Sequence, residues 1–163
     1  IPYYFVDNEY YFNRSYIYGH FCNDEAERFA FFSKAVLDCM PHIGFFPNVL
    51  HAHDWQAAMS IALLKLQYDC LPDYAPIRTL FTIHNLRYQG VFDWPFVSEL
   101  LSLGGGHFRQ DCLEYYGKAN FMKAALVLAD AVTTVSPSYA WEIQTSAYGE
   151  TLDGVLRLSL IHI

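Results

Sequence analysis

Basic residues are scarce in this chain, with ten Lys and Arg against seventeen Asp and Glu and a formal net charge of −7. A nucleic-acid backbone or an anionic membrane calls for basic patches, so neither is expected as a partner. Long apolar runs are missing too, and none approaches the ~20 residues that a bilayer span needs. The chain opens on Ile1-Pro2, without Met or a basic segment, so no secretory leader is read. Its four cysteines, Cys22, Cys39, Cys70 and Cys112, lie 17, 31 and 42 residues apart. No C-x-x-C pair occurs, which argues against a zinc framework or a redox motif. Reduced, buried thiols in a cytoplasmic protein are the expectation. Internal repeats and low-complexity tracts are absent as well.

What remains is a globular composition, 53% hydrophobic and 17% charged, over 163 residues. That length suffices for one domain with a real core. Thirteen Tyr and thirteen Phe imply large buried rings or a surface that stacks on something flat. Strand-like runs fall at 3–6 (YYFV), 48–52 (NVLHA), 77–83 (IRTLFTI) and 131–135 (AVTTV), each bounded by turn formers. Between them lie segments of helical period. One opens on Asn23-Asp24-Glu25 and spaces Ala26, Phe29, Ala30, Ser33, Val36, Leu37 and Met40 three or four apart. A second carries Trp55, Met59, Ala62, Leu63 and Leu66 on one face. A third, KANFMKAALVLAD, is apolar nearly all round and predicts a helix buried on more than one side. The fourth, SPSYAWEIQ, has Ser136 at a cap position and Pro137 in the first turn.

Strand and helix in alternation predict an α/β fold, a Rossmann-like parallel sheet with helices on both faces. About forty-seven residues separate the last two strands, too many for one crossover helix, so a functional loop or subdomain is expected there. In such a sheet ligands bind beyond the carboxyl ends of the strands. Three predicted strands end in polar clusters: His51, His53 and Asp54; His84, Asn85, Tyr88, Gln89 and Gly90; and Ser136-Pro137. All three should share one rim.

The stretch NVLHAHDWQAAM admits three readings. H-x-H followed by Asp is a ligand pair of metal-dependent hydrolases, with His84, His107 and Asp130 as conceivable further ligands. No later strand end offers a second acidic or His pair, so a metal is not expected. The second reading is a plain strand-to-helix corner, with His51 packed inward and Asp54 capping the following helix. His51 and His53, two residues apart, should then fall on the same side, which leaves His53 facing the rim. The third is a sugar site.

The stretches YYFVDNEYYFNR, IYGHFCNDEAERFAFFSKAVL, PNVLHAHDWQAAM, LFTIHNLRYQGVF, NFMKAALVLADAVTTVSPSYAWEI and AYGETLDGVL stand in the order and spacing of the bacterial glycogen synthase and plant starch synthase family, which the chain resembles from Pro2 to Arg157. The resemblance implies the N-terminal half of a two-domain GT-B glycosyltransferase, here truncated at both ends. On that reading residues 1–157 are a partial catalytic domain, and 158–163 (LSLIHI), with the residue before Ser159 included, form a tail of foreign sequence. It further implies transfer of glucose from ADP-glucose to the non-reducing end of an α-1,4-glucan, with retention and without metal or cofactor. The partner would be the C-terminal half of the same protein.

By resemblance, His53 contacts the transferred glucose and is the leading catalytic candidate. Asp24 matches an acidic position near the acceptor and is the second catalytic candidate, with a simple helix cap as its alternative. Substrate-binding candidates are His53, Asp24, Tyr18, His84, Asn85, Tyr88 and Gln89, and for each tyrosine core packing is the competing role. Two rival functions stay open at this point: another GT-B transferase, and a non-catalytic glucan-binding module.

Overall fold

The computed structural model describes residues 1–19 and 23–159. A short helix α1 (Glu9–Phe12) precedes the long α2 (Asn23–Ile43). Then come β1 (Val49–His53), α3 (Asp54–Leu63) continued by a π-helical turn, and β2 (Arg78–Ile83). After β3 (Val91–Phe92), α4 (Trp94–Leu101), β4 (Glu114–Tyr115) and β5 (Lys118–Asn120), the chain enters α5 (Phe121–Leu128). It closes with β6 (Ala131–Thr134), α6 (Pro137–Glu142) and α7 (Asp153–Leu158).

The main sheet is parallel, in the order β1-β2-β6, with His51 opposite Leu80, His53 opposite Thr82 and Ile83 opposite Thr134. This register aligns the carboxyl ends of three strands at one edge. Three of the four expected strands form within a residue of their predicted limits. Residues 3–6 form none: Tyr3, Tyr4 and Phe5 are exposed and outside both sheets. Aromatic residues favour strands only where a neighbouring strand and a packed face receive them.

The helical periods hold. In α2, Ala26, Phe29, Ala30, Ser33, Leu37 and Met40 are buried and Val36 packs against the core. In α3 the burial extends from Trp55 to nearly the whole circumference, as the helix lies between α2 and α5 and on β1 and β2. Phe121 through Leu126 are all buried, as an all-apolar helix requires. Ser136 caps α6 by accepting from the Tyr139 N–H at 3.1 Å. The insertion between β2 and β6 forms a small antiparallel sheet, β3-β5-β4, with α4 beside it.

The thiols differ from expectation. Cys112 is buried, but Cys39 is half-buried and Cys70 exposed, while Cys22 lies outside the described residues. Cys70 falls in the turns after the π-helical segment, where the chain runs over the surface. Among the described residues no helix is long and apolar enough to cross a membrane.

Candidate active site

β1 alternates exposed and buried, so Val49, His51 and His53 share one face while Leu50 and Ala52 point into the core. The two rings lie side by side, with centroids 4.1 Å apart. His51 therefore does not pack inward. It stands on the open face, its Nε2 2.7 Å from the Thr82 hydroxyl, which is itself 2.7 Å from that of Thr133. One polar chain thus crosses all three strands beneath the rim.

Asp54 also departs from the corner reading. The cap of α3 is His53, with no side-chain cap bond, and Asp54 is the first helical residue with φ +54°. Its carboxylate reaches across the sheet and accepts from the backbone N–H of His84 at 2.8 Å and of Asn85 at 3.3 Å. A non-glycine residue at positive φ is uncommon, and Asp is among the types that tolerate it. The backbone bend at Asp54 turns the carboxylate from its own helix toward the next strand's loop.

That loop delivers His84, whose Nε2 lies 3.0 Å from His53 Nδ1. The sequence-predicted convergence of the β1 and β2 ends is thus a direct side-chain contact. Partial burial among its neighbours pushes the His53 imidazole below its usual pKa range, and repulsion from His51 and His84 acts the same way, against an opposing pull from Asp54. The shift favours the neutral ring.

Two adjoining cavities open at this rim. One, about 420 Å³, is lined by Tyr18, Asp54, Trp55, Gln56, Asn85 and Tyr88. The other, about 520 Å³, has His51, His53, Asp54, Gln56, Tyr18 and Arg28 on its walls. Tyr18 and Tyr88 are 58% and 46% exposed, so core packing is not their role and their rings border the cleft. Gly90 is required nearby: φ is +66°, and a Cβ there would stand 2.3 Å from the Trp55 ring.

Two candidates have other commitments. Gln89 is buried, donating to the Glu150 carbonyl at 2.9 Å and accepting from the Asn120 amide at 2.6 Å. Asp24 forms a two-point pair with Arg14, one bond at 2.9 Å to Arg14 Nη2 and a second to Nη1. Those bonds to Arg14 hold its carboxyl below the usual range. It borders neither of the two rim cavities. The conceivable metal ligands do not gather: Asp130 precedes β6 at the opposite end of the sheet, and His107 sits in a 3-10 turn of the insertion. Among the described residues no group of three or more His, Cys, Asp or Glu is arranged to hold a metal ion.

Sequence reasoning missed Arg28. This buried residue lies against the Phe12 and Phe29 rings, donates to the Ile17 carbonyl at 2.6 Å, and forms part of the wall facing His53. Its place one helical turn after Asp24 was the available signal.

Comparison with known proteins gives the family and the fold. Residues 1–158 match the family described as starch synthase catalytic domain. The chain is 52% identical over 163 residues to a glycogen synthase of Anoxybacillus flavithermus, covering all of this chain and 33% of that protein. It is 54% identical over 157 residues to a glycogen synthase of Geobacillus stearothermophilus, covering 96% of this chain and 32% of the relative. Among solved structures, the catalytic domain of Starch Synthase IV from Arabidopsis thaliana, bound to ADP and acarbose, superposes with a TM-score of 0.76 at 31% identity. That match covers 90% of this chain and 30% of the other. The chain spans about a third of the length of the curated relatives it matches.

Proposed function

The chain belongs to the starch synthase catalytic domain family, and from that premise we propose that it supplies one wall of a retaining glucosyltransferase site. The reaction is transfer of glucose from ADP-glucose to the non-reducing end of an α-1,4-glucan, as in glycogen synthesis. The observation that carries this reading is His53 at the strand rim, backed by His84 at 3.0 Å and beside a cleft bordered by Tyr18, Tyr88 and Asn85. The Arabidopsis relative's binding of ADP and acarbose supports a nucleoside diphosphate and a sugar-like ligand here.

Glycosyl transfer passes through an oxocarbenium-like state, stabilised by dipoles and hydrogen bonds already in place. A neutral imidazole holds a sugar hydroxyl without adding positive charge beside the developing cation. Exposed tyrosine rings suit the apolar faces of glucan residues, and Asn85 offers donors and an acceptor for hydroxyls. Asp24 and Gln89 act in this reading by shaping the acceptor side through Arg14 and through Glu150. The site needs a facing half to hold the leaving diphosphate, so residues 1–163 alone are expected to transfer no glucose.

The test is incorporation of labelled glucose into glycogen by the full-length protein, with ADP-glucose and UDP-glucose as alternative donors. Robust incorporation from ADP-glucose, absent from the isolated 163-residue piece, is the expected result. Glucan binding by the full-length protein without incorporation from either donor would make it a binding module instead.

A further inference from the structure

We infer that His84 is a positioning residue that fixes the tautomer of His53, leaving His53 with a proton on Nε2 as a hydrogen-bond donor to the cleft. This rests on the glucosyltransferase reading for its consequence, but not for its geometry.

The contact joins His53 Nδ1 to His84 Nε2 at 3.0 Å, and one proton lies between them. Two arrangements satisfy it. If His84 donates, His84 carries its proton on Nε2, His53 accepts on Nδ1, and the His53 proton is on Nε2. Both rings then adopt the Nε2–H form that free histidine side chains favour in water. If His53 donates, both rings must adopt the less favoured Nδ1–H form at once. Among the described residues neither His84 Nδ1 nor His53 Nε2 has a hydrogen-bond partner, so no described side chain compensates for that double cost. The tautomer of a histidine follows the bond made by its other nitrogen.

The surroundings point the same way. His84 borders neither rim cavity, whereas His53 lines the larger one. The contact of His84 with His53 Nδ1 is what links it to the larger cavity. Its backbone is anchored by the Asp54 carboxylate, which places the donor nitrogen. The titratable groups around His53 are His51 beside it on β1, His84, Asp54, and, on the walls of the same cavity, Tyr18 from the segment before α2 and Arg28 of α2. Adding a second proton to His53 would force His84 into its less favoured Nδ1–H form or set two N–H groups against each other, and would place a cation near Arg28. The depressed proton affinity of His53 agrees with that opposition.

The experiment uses full-length protein labelled with 15N-histidine, whose imidazole 15N shifts report which nitrogen is protonated, with His53→Ala assigning the signal. Near neutral pH His53 is expected to show a bare Nδ1 and a protonated Nε2. In His84→Ala that preference should weaken and the acidic limb of kcat should move to higher pH, because Nδ1 becomes free to take a proton. kcat itself should fall about tenfold, the scale for losing an orienting partner of a functional imidazole. His84→Gln, whose amide N–H also donates, should restore most of it, while His84→Glu, which only accepts, should not. A protonated Nδ1 on His53 in the unmodified protein overturns the inference, as does a tautomer and acidic limb unmoved in His84→Ala. If the spectra behave as expected and no glucosyl transfer occurs, the functional reading fails and the tautomer assignment stands.

Discussion

The two ends of the parallel sheet hold comparable numbers of polar groups and use them in opposite ways. At the amino end, Asp130 is saturated. It receives Lys65 at 2.7 Å, Arg78 at 3.3 Å, and both the backbone N–H and hydroxyl of Thr79 at 2.7 and 2.8 Å. At the carboxyl end, His53, Asn85, Tyr18 and Tyr88 border open cavities, and the bonds there hold side chains in position around an open cleft. Asp130 also borders a cavity of about 480 Å³, but its carboxylate is spent on Lys65, Arg78 and Thr79, whereas the rim keeps donors and acceptors for a ligand. Substitutions at the two ends should therefore separate stability from turnover.

The largest expected effect is at the rim. In the full-length protein His53→Ala should lower turnover at least ~10²-fold, the scale of losing one preorganised transition-state contact. Because the side chain is exposed on β1, the thermal midpoint should barely move. Parallel kinetics and calorimetry decide the matter. Full turnover at an unchanged midpoint would remove His53 from the site.

Asp130→Ala is the converse. Removing the carboxylate strips partners from Lys65, Arg78 and Thr79 together and should cost roughly 1–2 kcal/mol, below the full value of bonds to a charged group because Arg78 is largely exposed and its pair is screened. Specific activity of the protein that remains folded should be near normal. Burial alone would raise the Asp130 pKa, but Lys65 and the two Thr79 donors outweigh it and hold the carboxyl far below the usual range. Its contribution is therefore present in full above about pH 4, the unfolded-state value. It is lost as pH falls from there toward the folded-state value. An acid-unfolding profile unchanged in Asp130→Ala would contradict this assignment.

The rim was legible in the sequence because strand-helix alternation and polar strand ends are local patterns. His51, His53, His84 and Asn85 could all be placed at one edge from periodicity and chain order. Their bonding could not. Asp54 lies thirty residues from His84, and choosing that N–H over its own helix depends on a backbone turn to positive φ. Residues 3–6 show the same limit in reverse, since strand propensity says nothing of whether a neighbour exists. Tyr18 and Tyr88 look identical to core tyrosines in sequence, and only packing reveals their exposure. The family resemblance supplied roles for single residues that no local pattern carried.

The smallest effect concerns strain where the insertion meets the rim. Glu150 and Thr151 are consecutive at φ +45° and +67°, and Thr is branched at Cβ. Such a conformation costs of order 1–3 kcal/mol for a β-branched residue. It is held in place because Gln89 binds the Glu150 carbonyl and the Tyr115 hydroxyl meets that of Thr151. Thr151→Gly removes the steric penalty but gives up the hydroxyl bond and about 1 kcal/mol of backbone entropy. The net expectation is a gain of up to about 1 kcal/mol, a rise of roughly 2 °C in midpoint for a unit of this size. Thr151→Val keeps the branching and loses the hydroxyl, so its midpoint should fall. Calorimetry on the pair in the full-length protein separates strain from bonding: a lower midpoint for Thr151→Gly would mean that the Tyr115 contact outweighs the strain, and that this edge of the rim is closed in the manner of the Asp130 end.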